Sequence, residues 1–435
     1  MTDQSVVKES IIELRSSSIE HQTTMLNFVS LNRLQPLKRA FTILSAASCL
    51  FFFTTSGSGQ TYSNLQFDFY GIQVNLPYDS SINIPFNNQL TRESVANFAE
   101  NLIQKDNSGL AGSLLKHKAE HKLDDWLFYQ LIRSTAQHLS PKELNYNRYT
   151  IFKWLLLTLS GYDARLKLAN EQLLFYVLCE ESIYNIPYYQ YEGKQYVCLN
   201  YHDFKEVDFE KFDFREIALP VYGGNSFSYK VSNLPLFRQA DYEEKTVHFF
   251  YYDQPFEFRF KLNKNISKLF TNYPTVDYAS SFNIPLSPET RKSLIAILKE
   301  HTKSMNTTEG VDYLMRFTRY AFIFRSDTRV FGSEKRLTPE QTLLNEYSDC
   351  EDRSALFFYL IKELYDLPML VLAYPNHVTV AVKLDKPAGN PIIYEGAAYS
   401  ICEPTPQKKD LLLGQVPREL RNQPYEIAYV YTPSK

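Results

Sequence analysis

The sequence is poor in cysteine, with only five in 435 residues, at positions 49, 179, 198, 350 and 402. They form no Cys-x-x-Cys pair and no Cys/His spacing typical of a zinc site, so the sequence predicts neither a metal nor a cofactor. Cys179 and Cys198 could pair across a hairpin, but two buried thiols are the simpler expectation for such residues.

The chain also lacks a strong excess of charge of either sign. Its formal net charge is −3, and no block of Lys or Arg stands out after residue 59. Nucleic acid is therefore not expected as a partner. Aromatic residues are abundant instead: the 32 Tyr and 31 Phe predict many half-buried positions in sheets and at interfaces.

A long hydrophobic run is missing as well. The apolar run 40–53, about 14 residues, is short for a membrane span. Basic residues precede it and small residues follow it, which is the order of a secretory signal. We predict a signal-like segment at 25–59 and a periplasmic or secreted location. Two alternatives stay open, an uncleaved signal that anchors the protein to a membrane and a lipid anchor on Cys49.

The length predicts two or three domains of a mixed α+β class. Turn residues and changes in hydrophobic pattern divide the chain into four segments. These are a non-globular N-terminus (1–59), an α+β region (60–219), a β-rich connector with one helix (220–307) and a C-terminal α+β domain (308–435).

Three separated stretches of the last segment carry the pattern of a thiol nucleophile. Cys350 opens an apolar helix, His377 heads a strand of alternating Val residues, and Glu403 follows a later strand. The dipole and free N–H groups of a helix N-terminus favour a thiolate. An imidazole held by a carboxylate can take the thiol proton and later give it to a leaving group. We therefore predict Cys350 as nucleophile, His377 as base and Glu403 as the orienting acid.

The direction of the strands decides whether Glu403 can reach His377. A simple three-strand meander would leave the acid at the far end of the sheet. We predict instead that 392–394 continues the direction of the His377 strand, turns at Glu395-Gly396, and lets 398–402 return toward the imidazole.

A tetrahedral intermediate also needs donors for its oxyanion. The backbone N–H of Cys350 is the first candidate. The Tyr347 hydroxyl and the Gln341 amide are candidates for a second donor, and their spacing does not choose between them.

At these residues the sequence resembles the transglutaminase-like superfamily, over roughly residues 310–417. The resemblance lies in Tyr347 to Arg353, Tyr374 to Val382 and the segment Glu403-Pro404-Thr405. It implies a papain-like core with a helix-borne Cys, a strand-borne His and an acid, in a bacterial subgroup that bears a secretion signal. One position departs from the pattern, because the family usually has Asp before Pro-Thr.

A shift of 205 residues superimposes a second helix and its following strands on the Cys350 region. It places the apolar positions Phe152, Leu155, Leu156 and Leu159 on Phe357, Leu360, Ile361 and Leu364. Asn145 then falls on Cys350 and Gln172 on His377. We predict a degenerate second unit without nucleophile or base; the alternative is that any helix followed by a sheet looks alike.

Two functions follow from these patterns. The first is a secreted cysteine acyl-transfer enzyme that acts on a protein or peptide substrate. We expect a protease or amide hydrolase in preference to a crosslinking enzyme. The second is a catalytically inert envelope binding or assembly protein built from one degenerate and one triad-bearing unit. The sequence does not set the oligomeric state.

Overall fold

The computed structural model describes residues 62–87, 89–105, 108–169, 171–204, 215–325 and 336–433. The predicted signal-like segment 25–59 lies outside these residues, as does Cys49. Gly59–Lys435 cluster as one compact unit. None of the helices in the described ranges has the length and apolar character that crossing a membrane requires.

Helices and strands occur in both halves of this unit, as an α+β fold requires. The first half contains β1 (Tyr62–Phe69), β2 (Ile72–Asp79), α1 (Arg92–Gln104), α2 (Ser108–Glu120), α3 (Asp125–Leu139), α4 (Tyr146–Leu159), β3 (Ala164–Ala169), β4 (Gln172–Leu178), β5 (Ile183–Tyr184), β6 (Tyr188–Tyr191), β7 (Lys194–Cys198) and β8 (Arg215–Glu216). The second half contains β9 (Tyr242–Tyr251), β10 (Gln254–Asn263), α5 (Ile266–Leu269), β11 (Thr275–Val276), α6 (Tyr278–Phe282), α7 (Pro288–Thr302), α8 (Thr307–Tyr320), β12 (Ile323–Phe324), α9 (Pro339–Leu344), β13 (Tyr347–Ser348), α10 (Cys350–Tyr365), β14 (Met369–Tyr374), β15 (His377–Val382), β16 (Ile392–Tyr394), β17 (Ala397–Cys402) and β18 (Glu426–Tyr431).

Two five-stranded sheets share one topology. The upstream sheet has the order β6-β7-β4-β3-β8, and the downstream sheet has the order β16-β17-β15-β14-β18. Their central hairpins agree in register. In the upstream hairpin Ala169 pairs with Gln172, and in the downstream hairpin the residues 205 positions later, Tyr374 and His377, pair in the same way. The degenerate-copy interpretation stays a prediction, but it now has a matching strand order and register beside the apolar pattern.

Each sheet packs on a helix that is buried almost all round, α4 upstream and α10 downstream. Ten residues of α4 are buried, from Tyr149 to Thr158, and ten of α10 are buried, from Asp352 to Ile361. A helix with no polar face belongs in the middle of a core. In α10 the polar residues are concentrated at the two ends, whereas α4 also carries Lys153 in its middle.

The N-terminus of α10 is fixed by its own sequence. The Asp349 carboxylate accepts from the backbone N–H of Glu351 and of Asp352, at 2.9 and 3.2 Å. The Asp352 carboxylate in turn accepts from the Asp349 N–H at 3.2 Å, which completes a capping box. This box fixes where the helix begins and so where Cys350 stands.

The beginning of the described chain, 62–79, forms a regular hairpin of β1 and β2. Helix α2 was not predicted, because Gly109 and Gly112 lower its helix propensity and mask its pattern.

A lysine lies inside the upstream core. Lys153 of α4 is 2% exposed, and its ammonium lies 4.5 Å from the ring centroid of Tyr149. Burial, with the nearby charge of Arg133, lowers the pKa of Lys153 to about 7. The folded protein therefore carries the cost of a buried charge at and below neutral pH.

This lowered pKa predicts a pH dependence of stability. Between about pH 7 and about 10.5 the folded state binds fewer protons at Lys153 than the unfolded state, so stability rises with pH by at most about 1.4 kcal/mol per unit. Lys153→Met should be more stable than the wild type at pH 7 and should lack this rise. Urea unfolding of both proteins at pH 7, 8 and 9 measures it; parallel pH profiles would contradict the assignment.

Candidate active site

Cys350 stands in the first turn of α10 and is partly exposed. The backbone N–H of Val378, the residue after His377, is close enough to its sulfur to lower the thiol pKa. One turn further along, the Ser354 hydroxyl donates to the Val378 carbonyl at 2.9 Å. These two contacts dock the tip of the helix on the start of β15.

His377 and Glu403 are in direct contact. The imidazole Nε2 lies 2.8 Å from the Oε2 of Glu403, which is 1% exposed. The second carboxylate oxygen accepts from the backbone N–H of Thr405 at 2.9 Å. A carboxylate held at both oxygens fixes the orientation of the ring, and with Nε2 donating, Nδ1 is the nitrogen left to act as base.

The path of the chain between these two residues agrees with the prediction. β17 lies between β15 and β16 and is antiparallel to both, so β16 continues the direction of the His377 strand. The turn falls on Glu395 and Gly396, whose φ angles of 49° and 76° suit a two-residue hairpin turn. Val380 pairs with Cys402, which brings Glu403 beside the start of β15.

Two buried arginines connect Glu403 and α10 to the C-terminal end of α8. Arg319 donates to the Glu403 carbonyl from Nε, at 3.0 Å, and from a terminal nitrogen, at 2.5 Å. Arg353 of α10 donates to the carbonyls of Thr318, Arg319 and Phe322, at 3.0, 2.7 and 2.9 Å. The three Arg353 bonds satisfy carbonyls at the C-terminus of α8, where cations are favoured.

The thiol is not activated in the way that the sequence predicts. Burial raises the pKa of Cys350 well above its ordinary value, and the carboxylates of Asp349, Glu351 and Glu403 raise it further. The Val378 N–H opposes this shift and is the weaker influence. The expectation that the helix N-terminus lowers this pKa is wrong, because the sulfur is largely desolvated and the cap that fixes the helix also places an anion beside it.

The structure therefore brings two of the predicted residues into direct contact. His377 is bonded to Glu403, and the backbone N–H of Val378, next to His377, acts on the Cys350 thiol. Within the described part of the chain the thiol and the imidazole make no direct hydrogen bond. The site holds a neutral thiol and an imidazole whose orientation is fixed by a carboxylate.

The candidate oxyanion donors differ in what they contact. Gln341 is 2% exposed, its Oε1 accepts from the Thr338 N–H at 3.0 Å, and its Nε2 has no partner among the described residues. Tyr347 lies in β13 with the Arg325 guanidinium 3.9 Å from its ring centroid. Both assignments stay predictions, as does that of the Cys350 N–H.

Sequence reasoning missed Arg319 and Tyr374. Arg319 lies on one face of α8 with Asp312 and Arg316, at the spacing i, i+4, i+7. This row of charged residues among apolar ones could have indicated a buried polar contact. Tyr374 pairs with His377 across the hairpin, and their ring centroids are 6.5 Å apart. Its place directly before the turn that leads into His377 was the signal.

A large cavity adjoins Tyr374 on the sheet face opposite α10. Its volume is about 960 Å³, which falls in the range of ligand sites. Residues that line it include Tyr374, Asn390, Lys408, Lys409, Arg418, Arg421 and Tyr425. None of Cys350, His377 and Glu403 lines it.

The upstream sheet has amides at the corresponding positions. The pair Tyr176–Cys198 in the upstream sheet corresponds to the pair Ala381–Ile401 in the downstream sheet. Two residues further along, Asn200 therefore corresponds to Glu403. Its Oδ1 accepts from the Phe175 N–H at 2.8 Å, a purely structural bond.

The other two positions of the upstream unit are also without reactive groups. Gln172 stands at the place of His377, and Asn145 falls on Cys350 by the 205-residue shift. If the two helices are aligned at their N-caps instead, Tyr146 falls on Cys350. Neither alternative supplies a thiol.

One group of side chains has the composition of a metal site. His117, Glu120 and His121, at the end of α2, have ligand atoms within 4.8 Å of one another. The spacing of His117 and His121, i and i+4, places both on one helix face. This spacing contains no cysteine and was not predicted; the cluster is at the surface and far along the chain from Cys350.

Searches of protein-family models, curated proteins and solved structures return no match to this chain. The site is therefore judged on its own geometry.

The raised thiol pKa predicts slow, strongly pH-dependent alkylation. The rate of iodoacetamide reaction at Cys350, followed by mass spectrometry, should rise about tenfold per unit from pH 7 to 9 without a plateau, because only the thiolate reacts. Asp349→Asn keeps the helix cap and removes the adjacent charge, so it should react faster at each pH. A plateau below pH 8 in the wild type would contradict the raised pKa.

Proposed function

We propose that the protein is a cysteine acyl-transfer enzyme of transglutaminase-like type, and that its main activity is that of a protease or amide hydrolase on protein or peptide substrates. The observation that carries the proposal is the 2.8 Å contact of His377 Nε2 with the buried Glu403 carboxylate, beside a helix tip that bears a thiol. A strand-borne imidazole has no structural need for a buried carboxylate that also accepts a backbone N–H. That arrangement is the one a general base requires.

The chemistry begins with a proton transfer. His377 takes the thiol proton at Nδ1 while Nε2–H keeps its bond to Glu403, which stabilises the imidazolium that forms. The thiolate of Cys350 attacks the amide carbonyl, and the oxyanion is stabilised by the Cys350 N–H with a second donor from Gln341 or Tyr347. His377 then protonates the departing amine, and a thioester remains.

The raised pKa of the thiol fits a substrate-dependent step. A partly buried neutral thiol is protected from oxidation and adventitious alkylation, because the thiolate is the reactive form. A substrate bound over the site would bring the reacting groups together. Water or an amine then resolves the thioester, giving hydrolysis or transamidation. The signal-like segment 25–59 supports a periplasmic or secreted site of action.

The second candidate is a catalytically inert envelope binding or assembly protein. It is favoured by the raised pKa of Cys350 and by the missing thiol–imidazole hydrogen bond in the described structure. The amides at the upstream positions show that this topology also occurs without a nucleophile.

Acylation by an activated ester separates the two functions. Incubation with p-nitrophenyl acetate should release a burst of nitrophenol equal to the enzyme present and leave an acetyl group on Cys350, located by peptide mass mapping. Hydroxylamine or glycine amide should accelerate turnover by competing with water for the thioester. Cys350→Ser should abolish the burst.

Variants of the base and the acid test their roles. His377→Asn should slow acetylation by about 10²- to 10⁴-fold, since general base catalysis is lost. Glu403→Gln keeps the shape but not the charge, and should slow it by a smaller factor. Glu403→Asp tests whether the longer acid is needed for the 2.8 Å contact. Acetylation of Cys350 at the same rate in the wild type and in His377→Asn would leave the inert protein as the better description.

A further inference from the structure

A second cavity lies in the upstream half, beside the N-terminal turns of α4. It has a volume of about 360 Å³, large enough for a small ligand. Its walls come from the β1–β2 turn, α3, the α3–α4 loop, α4 and the region of α5. They are formed by Phe69, Tyr70, Gln130, Arg133, Ser134, Gln137, His138, Lys142, Tyr149, Lys268 and Thr271.

The charge of these walls is one-sided. Arg133, Lys142 and Lys268 line the cavity, and no carboxylate does. Lys142 is neutralised by Asp203, at 2.6 Å. The Arg133 guanidinium donates to Gln130 Oε1 at 2.9 Å and also has Tyr149 as a side-chain hydrogen-bond partner. In the described part of the chain neither Arg133 nor Lys268 forms an ion pair.

The remaining polar groups also offer donors. Gln130 is 7% exposed, and its Nε2 has no acceptor among the described residues. A buried donor without a partner costs free energy that an anionic acceptor can recover. The rings of Phe69, Tyr70 and Tyr149 supply flat apolar walls.

We propose that this cavity binds a small organic anion with a flat apolar body, its carboxylate held by Arg133 and Lys268 and its ring packed among Phe69, Tyr70 and Tyr149. A planar guanidinium suits a carboxylate because it can donate two parallel hydrogen bonds. The inference does not depend on Cys350 and stands whether or not the downstream site is catalytic.

The upstream unit would then be a binding unit. Its sheet has the strand order of the downstream one, but its corresponding positions carry Gln172 and Asn200 in place of the base and the acid. The cavity lies along Lys142 and Tyr149, on both sides of the cap of α4. A ligand there would contact the beginning of the helix that corresponds to α10.

Two ligands of equal shape test the role of charge. Isothermal titration of the full chain with benzoate and with benzamide should show benzoate binding at least about tenfold more tightly, because charge-assisted hydrogen bonds are lost with the amide. The benzoate affinity should fall as NaCl rises, since part of the attraction is between charges open to solvent.

Three variants locate the site. Arg133→Gln and Lys268→Gln should each weaken benzoate binding, the former by about tenfold or more. Lys264→Gln is the matched control, since Lys264 is exposed on the same stretch of chain and does not line the cavity. Thermal unfolding confirms that each variant folds, and Lys268, which is exposed, can be changed with little risk to the core.

The proposal is overturned if benzamide binds as tightly as benzoate, if Lys264→Gln weakens binding as much as Lys268→Gln, or if folded Arg133→Gln and Lys268→Gln bind like the wild type. Loss of benzoate binding in these two variants with unchanged acetylation of Cys350 supports it and separates it from the downstream chemistry.

Discussion

The downstream half depends on two buried guanidinium groups at the C-terminus of α8. Arg353, on α10, donates to backbone carbonyls at the end of α8, such as that of Thr318. Arg319, in the last turn of α8, donates to the carbonyl of Glu403. Arg319 also bonds the Asp410 carboxylate at 2.7 Å, which ties down the loop after Glu403. A thiol and an acid that are 53 residues apart thus share one anchor. Because both arginines are almost fully buried, losing either would leave several backbone carbonyls unsatisfied.

The anchor also fixes Glu403, at the position where the family resemblance leads one to expect Asp. The backbone of residue 403 is fixed by Arg319, and one side-chain oxygen is fixed by the Thr405 N–H. The second oxygen meets the imidazole at 2.8 Å. The longer side chain therefore reaches the imidazole while both its backbone and its first oxygen are held.

Much of this arrangement was readable from the sequence because it rests on local patterns. The apolar face after Cys350 predicted α10, and the two residues Glu395-Gly396 predicted the turn that reverses the chain toward His377. The 205-residue shift anticipated a shared sheet order. The thiol pKa could not be predicted in the same way, because the charge of Asp349 and the burial of the sulfur act against the helix dipole and only coordinates supply their distances. Arg319 was missed for a related reason, since its partner at Glu403 is 84 residues away.

The amides of the upstream unit limit which side chains can replace them. Asn145 caps α4 through the Arg148 N–H, and its Nδ2 donates to the Phe86 carbonyl. Asn200 bonds the backbone at Phe175 and Leu173. Both side chains are part of the framework, so a thiol at 145 or a carboxylate at 200 would remove hydrogen bonds that the fold uses. The chemistry of a reactive site and the stability of this half therefore make opposite demands on the same two positions.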